Sequence, residues 1–431
     1  MTEYSPVLIG LSVFVILGNL YLVRYTGGLR NNILNIFLLA TFSFYLLLTP
    51  SVYYFTQDWY AVNLNVKDYW GIGLLQIFLH ILFYSVGYYI VLKRNPSIKK
   101  MTSLEARVTF FKKYENILFF IFIVLFALIF LNTLSVGVNF VDIALGKHGE
   151  PTLGLQGGSY YIQNLADSLI TILIASYYFR IRYTYTAIMC LIAIPLFLIL
   201  GFRYRIILTF FGFFMIYIYD NRVSTKAIIK YVICSVIFFY ALILLTTNRS
   251  NIYMQKFDDF TFDYTEFDYS VVFDQAKGSL IDLAMYKSVD SGHITIDYGQ
   301  TMLGYIFIKM LPSSVFPAGI KPYPPPQMAA IDNAISVDRS VGEALTALGG
   351  SFFAFYYPGI YICAFILGLI IAKVQNRFEK GVLSLLVGII VSLVAFQWVT
   401  RGYFPQSIDH LAYMMFPIFL LSGFMKIRFK F

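Results

Sequence analysis

The chain has 431 residues, 59% of them hydrophobic and only 13% charged, with mean hydropathy +0.71; no water-soluble core of this size buries that much apolar side chain, so a multi-span membrane protein is indicated. The net charge of +9 is the basic excess expected of cytoplasmic loops in such a protein, which sets nucleic acid aside as a partner. Cys190, Cys234 and Cys363 fall inside apolar runs without metal-ligand spacing and read as packing residues, and the N-terminal residues lack the basic stretch of a cleavable signal peptide.

In chain order, runs of about 20 apolar residues, enough to cross a hydrocarbon layer about 30 Å thick, occur at 5–23, 33–55, 69–92, 116–134, 162–179, 183–201, 206–219, 227–246, 351–372, 381–400 and 411–425. The expected architecture is an all-α polytopic membrane protein of about 11 transmembrane helices. It divides into N-terminal membrane helices at 1–246, a large loop at 247–350 and C-terminal membrane helices at 351–431. With the N-terminus outside, 20 of the 32 lysines and arginines fall on the cytoplasmic side; five lie in short outer loops and seven in the long loop, which the positive-inside rule largely ignores. That places the C-terminus in the cytoplasm and the long loop outside, in the periplasm or its equivalent.

The long loop holds 12 of the 23 acidic residues and 6 of the 14 prolines, together with the aromatic and acidic run FDDFTFDYTEFDY. It is expected to fold as a cap against the outer membrane face. Its apolar segment 302–317 is read as re-entrant or interfacial, because Pro312 and Pro317 oppose a continuous helix. A crossing there would also put every later basic cluster on the wrong side.

Arginines that break the positive-inside pattern are the candidate site. Arg203 and Arg205 stand in GFRYR between two apolar stretches, Arg249 follows the eighth stretch, Arg339 and Glu343 precede the ninth, and Arg401 with Tyr403 follows the tenth. Arginine's planar fork grips phosphate bidentately and keeps its charge at any relevant pH, so arginines delivered to one face suit a lipid diphosphate. The plainer reading is that each anchors a helix end by reaching lipid phosphates. Lys321 joins them as a substrate-binding candidate. Glu343 is a candidate general base or a helix-start acid favoured by the dipole, and His410, beside Asp409, is a second candidate base or an interfacial histidine. His80 lies mid-span without an acidic neighbour in the adjoining spans, which favours an interhelical hydrogen bond over a proton relay. Asp167 is the one clear acid within a span, and ion-coupled transporters usually place more ionisable groups at mid-membrane. No carboxylate pair, HExxH or cysteine cluster has metal-ligand spacing, so neither a metal nor a cofactor is expected.

Four features in order resemble the Wzy-type O-antigen or capsule polymerases, the membrane oligosaccharide repeat-unit polymerases. These are the G-x-R-x-R turn (Gly201, Arg203, Arg205), the proline-rich LPSSVFPAGIKPYPPP segment, the glycine and acid before the next span (Gly342, Glu343, then Gly349 and Gly350) and the R-G-aromatic exit (Arg401, Gly402, Tyr403). The resemblance covers the chain from about Tyr183 onward. It implies a GT-C-like glycosyltransferase that moves a growing glycan from undecaprenyl diphosphate onto a new lipid-linked repeat unit, without a nucleotide sugar or metal. Implied partners are the undecaprenyl-diphosphate-linked oligosaccharide, the lipid bilayer, and a chain-length regulator and a flippase of the same pathway. An O-antigen ligase uses the same donor with another acceptor, and a flippase or transporter of lipid-linked oligosaccharide would move it without making a bond.

Overall fold

The structure is a computed structural model and describes residues 4–92, 108, 111–135, 158–199, 204–221, 240, 276–311, 315–317, 326–335, 344–377 and 383–424. The described residues are helical apart from turns and one hairpin, β1 (Tyr60–Ala61) with β2 (Leu64–Asn65), paired antiparallel. The helices are α1 (Ser5–Val23), α2 (Gly28–Asn31), α3 (Ile33–Thr41), α4 (Thr49–Thr56), α5 (Trp70–Val91), α6 (Glu115–Ser135), α7 (Gly158–Asn164), α8 (Ala166–Tyr178), α9 (Tyr183–Ile199), α10 (Tyr204–Asp220), α11 (Gly278–Asp290), α12 (Tyr305–Met310), α13 (Pro326–Ile335), α14 (Ala347–Gln375), α15 (Ser384–Arg401) and α16 (Phe404–Phe424). Six helices among the described residues are long and apolar enough to cross a membrane: Ser5–Val23, Ile33–Thr56, Lys67–Val91, Glu115–Ser135, Ala347–Gln375 and Ser384–Arg401. They coincide with six of the eleven expected spans. The expected span at 227–246 and the aromatic and acidic run lie outside the described residues.

Two compact units emerge, one of residues 1–103 with 276–412 and one of 104–275 with 413–431. They cut across the sequence-order division into helices, loop and helices.

In the first unit α5 and α14 form the central pair, and glycines let them touch. A methyl group on Gly87 would overlap the Phe365 carbonyl, and one on Gly368 the Tyr84 carbonyl. Apolar side chains gain little by associating in lipid, so close backbone approach and interhelical hydrogen bonds must supply the contact. Both are present. Tyr361 donates to Gln76 Oε1 at 2.6 Å, and Asn376 Nδ2 donates to the Val91 carbonyl at 2.8 Å. On its other sides α5 is tied to α1 by Asn19 Nδ2 donating to Ser85 Oγ at 2.8 Å. The Tyr84 and Tyr88 hydroxyls donate to Asn35 and Asn32 at 2.9 and 2.8 Å. His80 is fully buried and meets the Phe42 ring edge-on at 5.3 Å.

Three departures from ideal helix shape this unit. The expected second span is one rod, but Phe42–Leu48 is wound as a π-helix between α3 and α4, just before Pro50. Helix α14 breaks at Phe355 (φ −142°, ψ 21°) and Tyr356 (φ 60°, ψ −163°), ahead of Pro358. The Tyr356 and Tyr357 hydroxyls donate to the two Asp290 oxygens at 2.8 and 3.2 Å and hold the break. The expected interfacial stretch begins as a π-turn, Gln300–Gly304, continues as the six-residue α12, and ends at Leu311 in extended backbone.

Helix α11 belongs to this unit and not to a solvated surface. Every residue from Ser279 to Tyr286 is buried. Its Asp282 fastens the start of α14: Oδ1 accepts the Thr346 amide at 2.8 Å and Oδ2 accepts the Thr346 hydroxyl. Gly349 has no room for a side chain because Asp282 occupies the space.

In the second unit α8 packs against α6, α9 and α10. Ion pairs join α8 and α10 at both ends. Arg205 Nε meets Asp167 Oδ1 at 2.6 Å near the two starts, and Arg180, just past the end of α8, meets Asp220 at 3.4 Å at the end of α10. Reciprocal charges at the two ends fix parallel alignment and register together. Arg182 reaches Glu115 of α6 at 3.0 Å. Pro417 within α16 has no N–H for the Tyr413 carbonyl one turn back, and the Ser168 hydroxyl of α8 donates to that carbonyl at 2.6 Å. Thr171 does the same for Met414 at 2.7 Å.

Candidate functional site

The first unit brings together residues from distant parts of the sequence at the turn between α15 and α16. Helix α15 ends at Arg401, and Gly402 closes it in the left-handed region (φ 61°), its N–H bonded to the Trp398 carbonyl at 2.8 Å. Only glycine serves here without strain. A side chain on Gly402 would also strike the Thr346 carbonyl, and one on Gly350 the Gly402 carbonyl. The turn therefore lies directly on the first turn of α14. From α13, Gln327 Nε2 donates to the Gly402 carbonyl at 3.4 Å, and the Gln327 amide donates to Thr301 Oγ1 at 3.2 Å. The turn's backbone is thus gripped from two sides.

Charged and aromatic side chains gather around it. Lys309 of α12 pairs with Asp409 at 3.2 Å, both side chains about one-seventh exposed, and its Nζ stands 5.0 Å from the centre of the Tyr403 ring. Arg401 is exposed, Tyr403 half-buried and His410 buried at 5% exposure. Cation–π contact and a partly dehydrated ion pair hold Lys309 in place, so the charge is fixed and not carried on a loose surface chain.

Parts of two sequence features, and the residue that follows a third, meet here; the proline-rich segment itself is largely outside the described residues, as are Gly342 and Glu343. The residue after the proline-rich segment (Gln327), the glycine pair Gly349–Gly350 and the Arg401–Gly402–Tyr403 exit share one turn. The fourth lies in the second unit, where Arg205 is fully buried with Asp167 at 1% exposure, and the Tyr204 hydroxyl donates to the same carboxylate at 3.2 Å. In this conformation Arg205 presents no surface to a ligand, and Asp167 balances its charge. Of the other expected site residues, Arg203, Arg249, Lys321, Arg339 and Glu343 lie outside the described residues.

Lys309, Gln327 and Asp282 stand outside the residues to which the sequence points, and Asp409 enters there only as the neighbour of His410. Lys309 is a lone cation in the apolar run YIFIKM and Asp282 a lone acid in GSLIDLAMY. A single charge at an otherwise apolar position is the signal that marks both, because such a charge is costly without a partner.

Fold and side-chain distribution together define an all-α protein with several helices of membrane-crossing length. No protein-family model, no curated protein and no solved structure matches this chain.

Proposed function

We propose that this protein polymerises undecaprenyl-diphosphate-linked oligosaccharide repeat units at the periplasmic face of a bacterial inner membrane. The observation that carries this reading is the glycine-pinned turn between α15 and α16, which follows exposed Arg401 and holds Tyr403, with Lys309 of α12 over the Tyr403 ring and Gln327, the residue after the proline-rich segment, on the Gly402 carbonyl. In the reaction, a hydroxyl of the acceptor sugar attacks the anomeric carbon of the donor glycan. The bond from that carbon to the diphosphate breaks, its electron pair leaves with the diphosphate, and the hydroxyl proton passes to a base.

Two needs follow. The leaving diphosphate requires fixed positive charge, which Arg401 supplies from the end of α15, in the manner of pre-set donors at any developing anion. Arg339 and Lys321 are proposed to add to it. The acceptor proton requires a base, and Glu343 and His410 are the proposed candidates. Tyr403 offers a ring face and a hydroxyl to the glycan. The flippase and the chain-length regulator of the pathway are the proposed protein partners.

The test is a strain lacking this protein, complemented with wild type or Arg401→Ala. The reading expects single repeat units to accumulate with the vector and with Arg401→Ala, and long polymer with wild type. Unligated polymer in the deletion strain would indicate a ligase instead, and absence of any periplasmic repeat unit would indicate transport.

A further inference from the structure

The start of α14 is gripped from two sides. On one side lies the α15–α16 turn, where a side chain on Gly402 would strike the Leu345 and Thr346 carbonyls and one on Gly350 the Gly402 carbonyl. On the other lies α11. A side chain on Gly278 would press on the Ala344 carbonyl and the Thr346 methyl group, and four residues further on Asp282 bonds to the same stretch. Residues 344–350 are thus wedged between α11 and the turn that follows Arg401.

Asp282 is buried at 3% exposure and accepts from three donors. Oδ1 accepts the Thr346 amide at 2.8 Å, Oδ2 accepts the Thr346 hydroxyl, and the Gly349 amide donates to the same carboxyl. The Thr346 hydroxyl already accepts from the Leu348 amide at 3.2 Å, so its own proton goes to Asp282. Three donors suit an ionised carboxylate, which only accepts, and the N-terminal end of a helix favours negative charge. Burial works against that charge, and the Thr346 and Gly349 bonds work for it. Hydrogen bonds to an ionised acceptor are about twice as strong as neutral ones, so this joint is stiff.

We propose that Asp282 is a positioning residue for the polymerisation reaction: through Thr346 and the first turn of α14 it fixes the α15–α16 turn, and with it the place of the Arg401 guanidinium relative to the leaving diphosphate. The inference rests on the proposed function and deepens it. Arg401 is exposed and is the last residue of α15, so its backbone is held by the packing of Gly402 on the Leu345 and Thr346 carbonyls. The Thr346 carbonyl also accepts the Gly350 amide at 3.0 Å, the first rung of α14. The grip of Gln327 on the Gly402 carbonyl is long, at 3.4 Å, which leaves the charged joint behind Thr346 to set the position. Displacing a reacting group by about 1 Å can cost about 100-fold in rate, even when the change lies far from the chemistry.

The test uses full-length protein in liposomes with a polyprenyl-diphosphate-linked repeat unit, with rates scaled to folded protein. Asp282→Ala removes every acceptor, and Asp282→Asn keeps the shape without the charge. The expected fall in kcat is about 100-fold for the first and about 10-fold for the second, with KM for the lipid-linked substrate little changed. In an Arg401→Ala background Asp282→Asn is expected to cost nothing further, because the group it positions is gone. Equal losses in the two backgrounds, or wild-type kcat in both Asp282 variants, overturn the proposal. Should Asp282→Ala fail to fold, the cycle with Asp282→Asn carries the test. Thr346→Ser keeps the hydroxyl and is expected to retain more rate than Thr346→Val; the reverse order counts against the joint. Wild-type protein that elongates nothing refutes the proposed function, and hydrogen exchange then reads the mechanical link by itself. Asp282→Asn is expected to speed exchange of the 400–404 segment several-fold, and unchanged exchange there overturns the link.

Discussion

Arg205 and Asp167 form the most closed ion pair among the described residues, with side-chain exposures of 0% and 1% and a 2.6 Å contact, and its removal is calculable. With charge centres about 4 Å apart and an effective dielectric constant near 20, the attraction is about 4 kcal/mol, and taking both ions out of water offsets most of it. Replacing both partners by apolar residues of similar size should therefore change stability by less than about 1.5 kcal/mol, whereas removing one leaves a buried charge and costs about 3–5 kcal/mol. Arg205→Met alone and Asp167→Leu alone should each strongly lower the unfolding midpoint in nanodiscs, and the double variant should recover most of the loss. Coupling of this size is what a double-mutant cycle reads. The same three proteins separate structure from chemistry. A double variant that folds and still supports long polymer makes the pair a register clamp between α8 and α10; one that folds and makes none assigns Arg205 a part in the reaction. Arg205→Met with wild-type stability would refute the reasoning, because a buried carboxylate cannot lose its partner at no cost.

Two further outcomes are expected. Gly402→Ala places a side chain in the left-handed region and against the Thr346 carbonyl; it should cost at least about 1–3 kcal/mol and depress polymer formation, measured by thermal unfolding and by glycan ladders. Gly368→Val should separate α5 from α14 at the Tyr84 carbonyl and lower the yield of folded protein on size-exclusion chromatography, by more than the same change at Gly10, which meets no neighbour.

Much of the helical frame is legible from hydropathy, because a run of apolar residues of bilayer length has one reading. Six such runs return as helices within a few residues of their expected limits. What periodicity does not carry is where a helix departs from ideality. The π-turn at Phe42–Leu48 leaves the hydropathy of its run unchanged, and the break at Tyr356 is held by Asp290 some 66 residues away. Helix α11 reads as part of a polar loop because its acids draw attention, yet those acids are joints. Asp282 fastens α14 and Asp290 holds the break. At the candidate site, the glycines and arginine of the α15–α16 turn are visible as a motif, whereas the approach of Lys309 and Gln327 to it is not. Arg205 shows the converse limit. Its unusual place in the charge pattern is visible in the sequence, but the Asp167 that absorbs its charge is 38 residues away and paired only by the fold.

The most direct measurement is elongation by purified protein reconstituted in liposomes, given a polyprenyl-diphosphate-linked repeat unit on the outer face and followed by glycan length. Wild type is predicted to build chains of many repeats and release polyprenyl diphosphate, and Arg401→Ala to be slower by on the order of 100-fold at unchanged stability. No elongation by folded wild-type protein on the correct repeat unit, or an Arg401→Ala rate equal to wild type, would contradict the account.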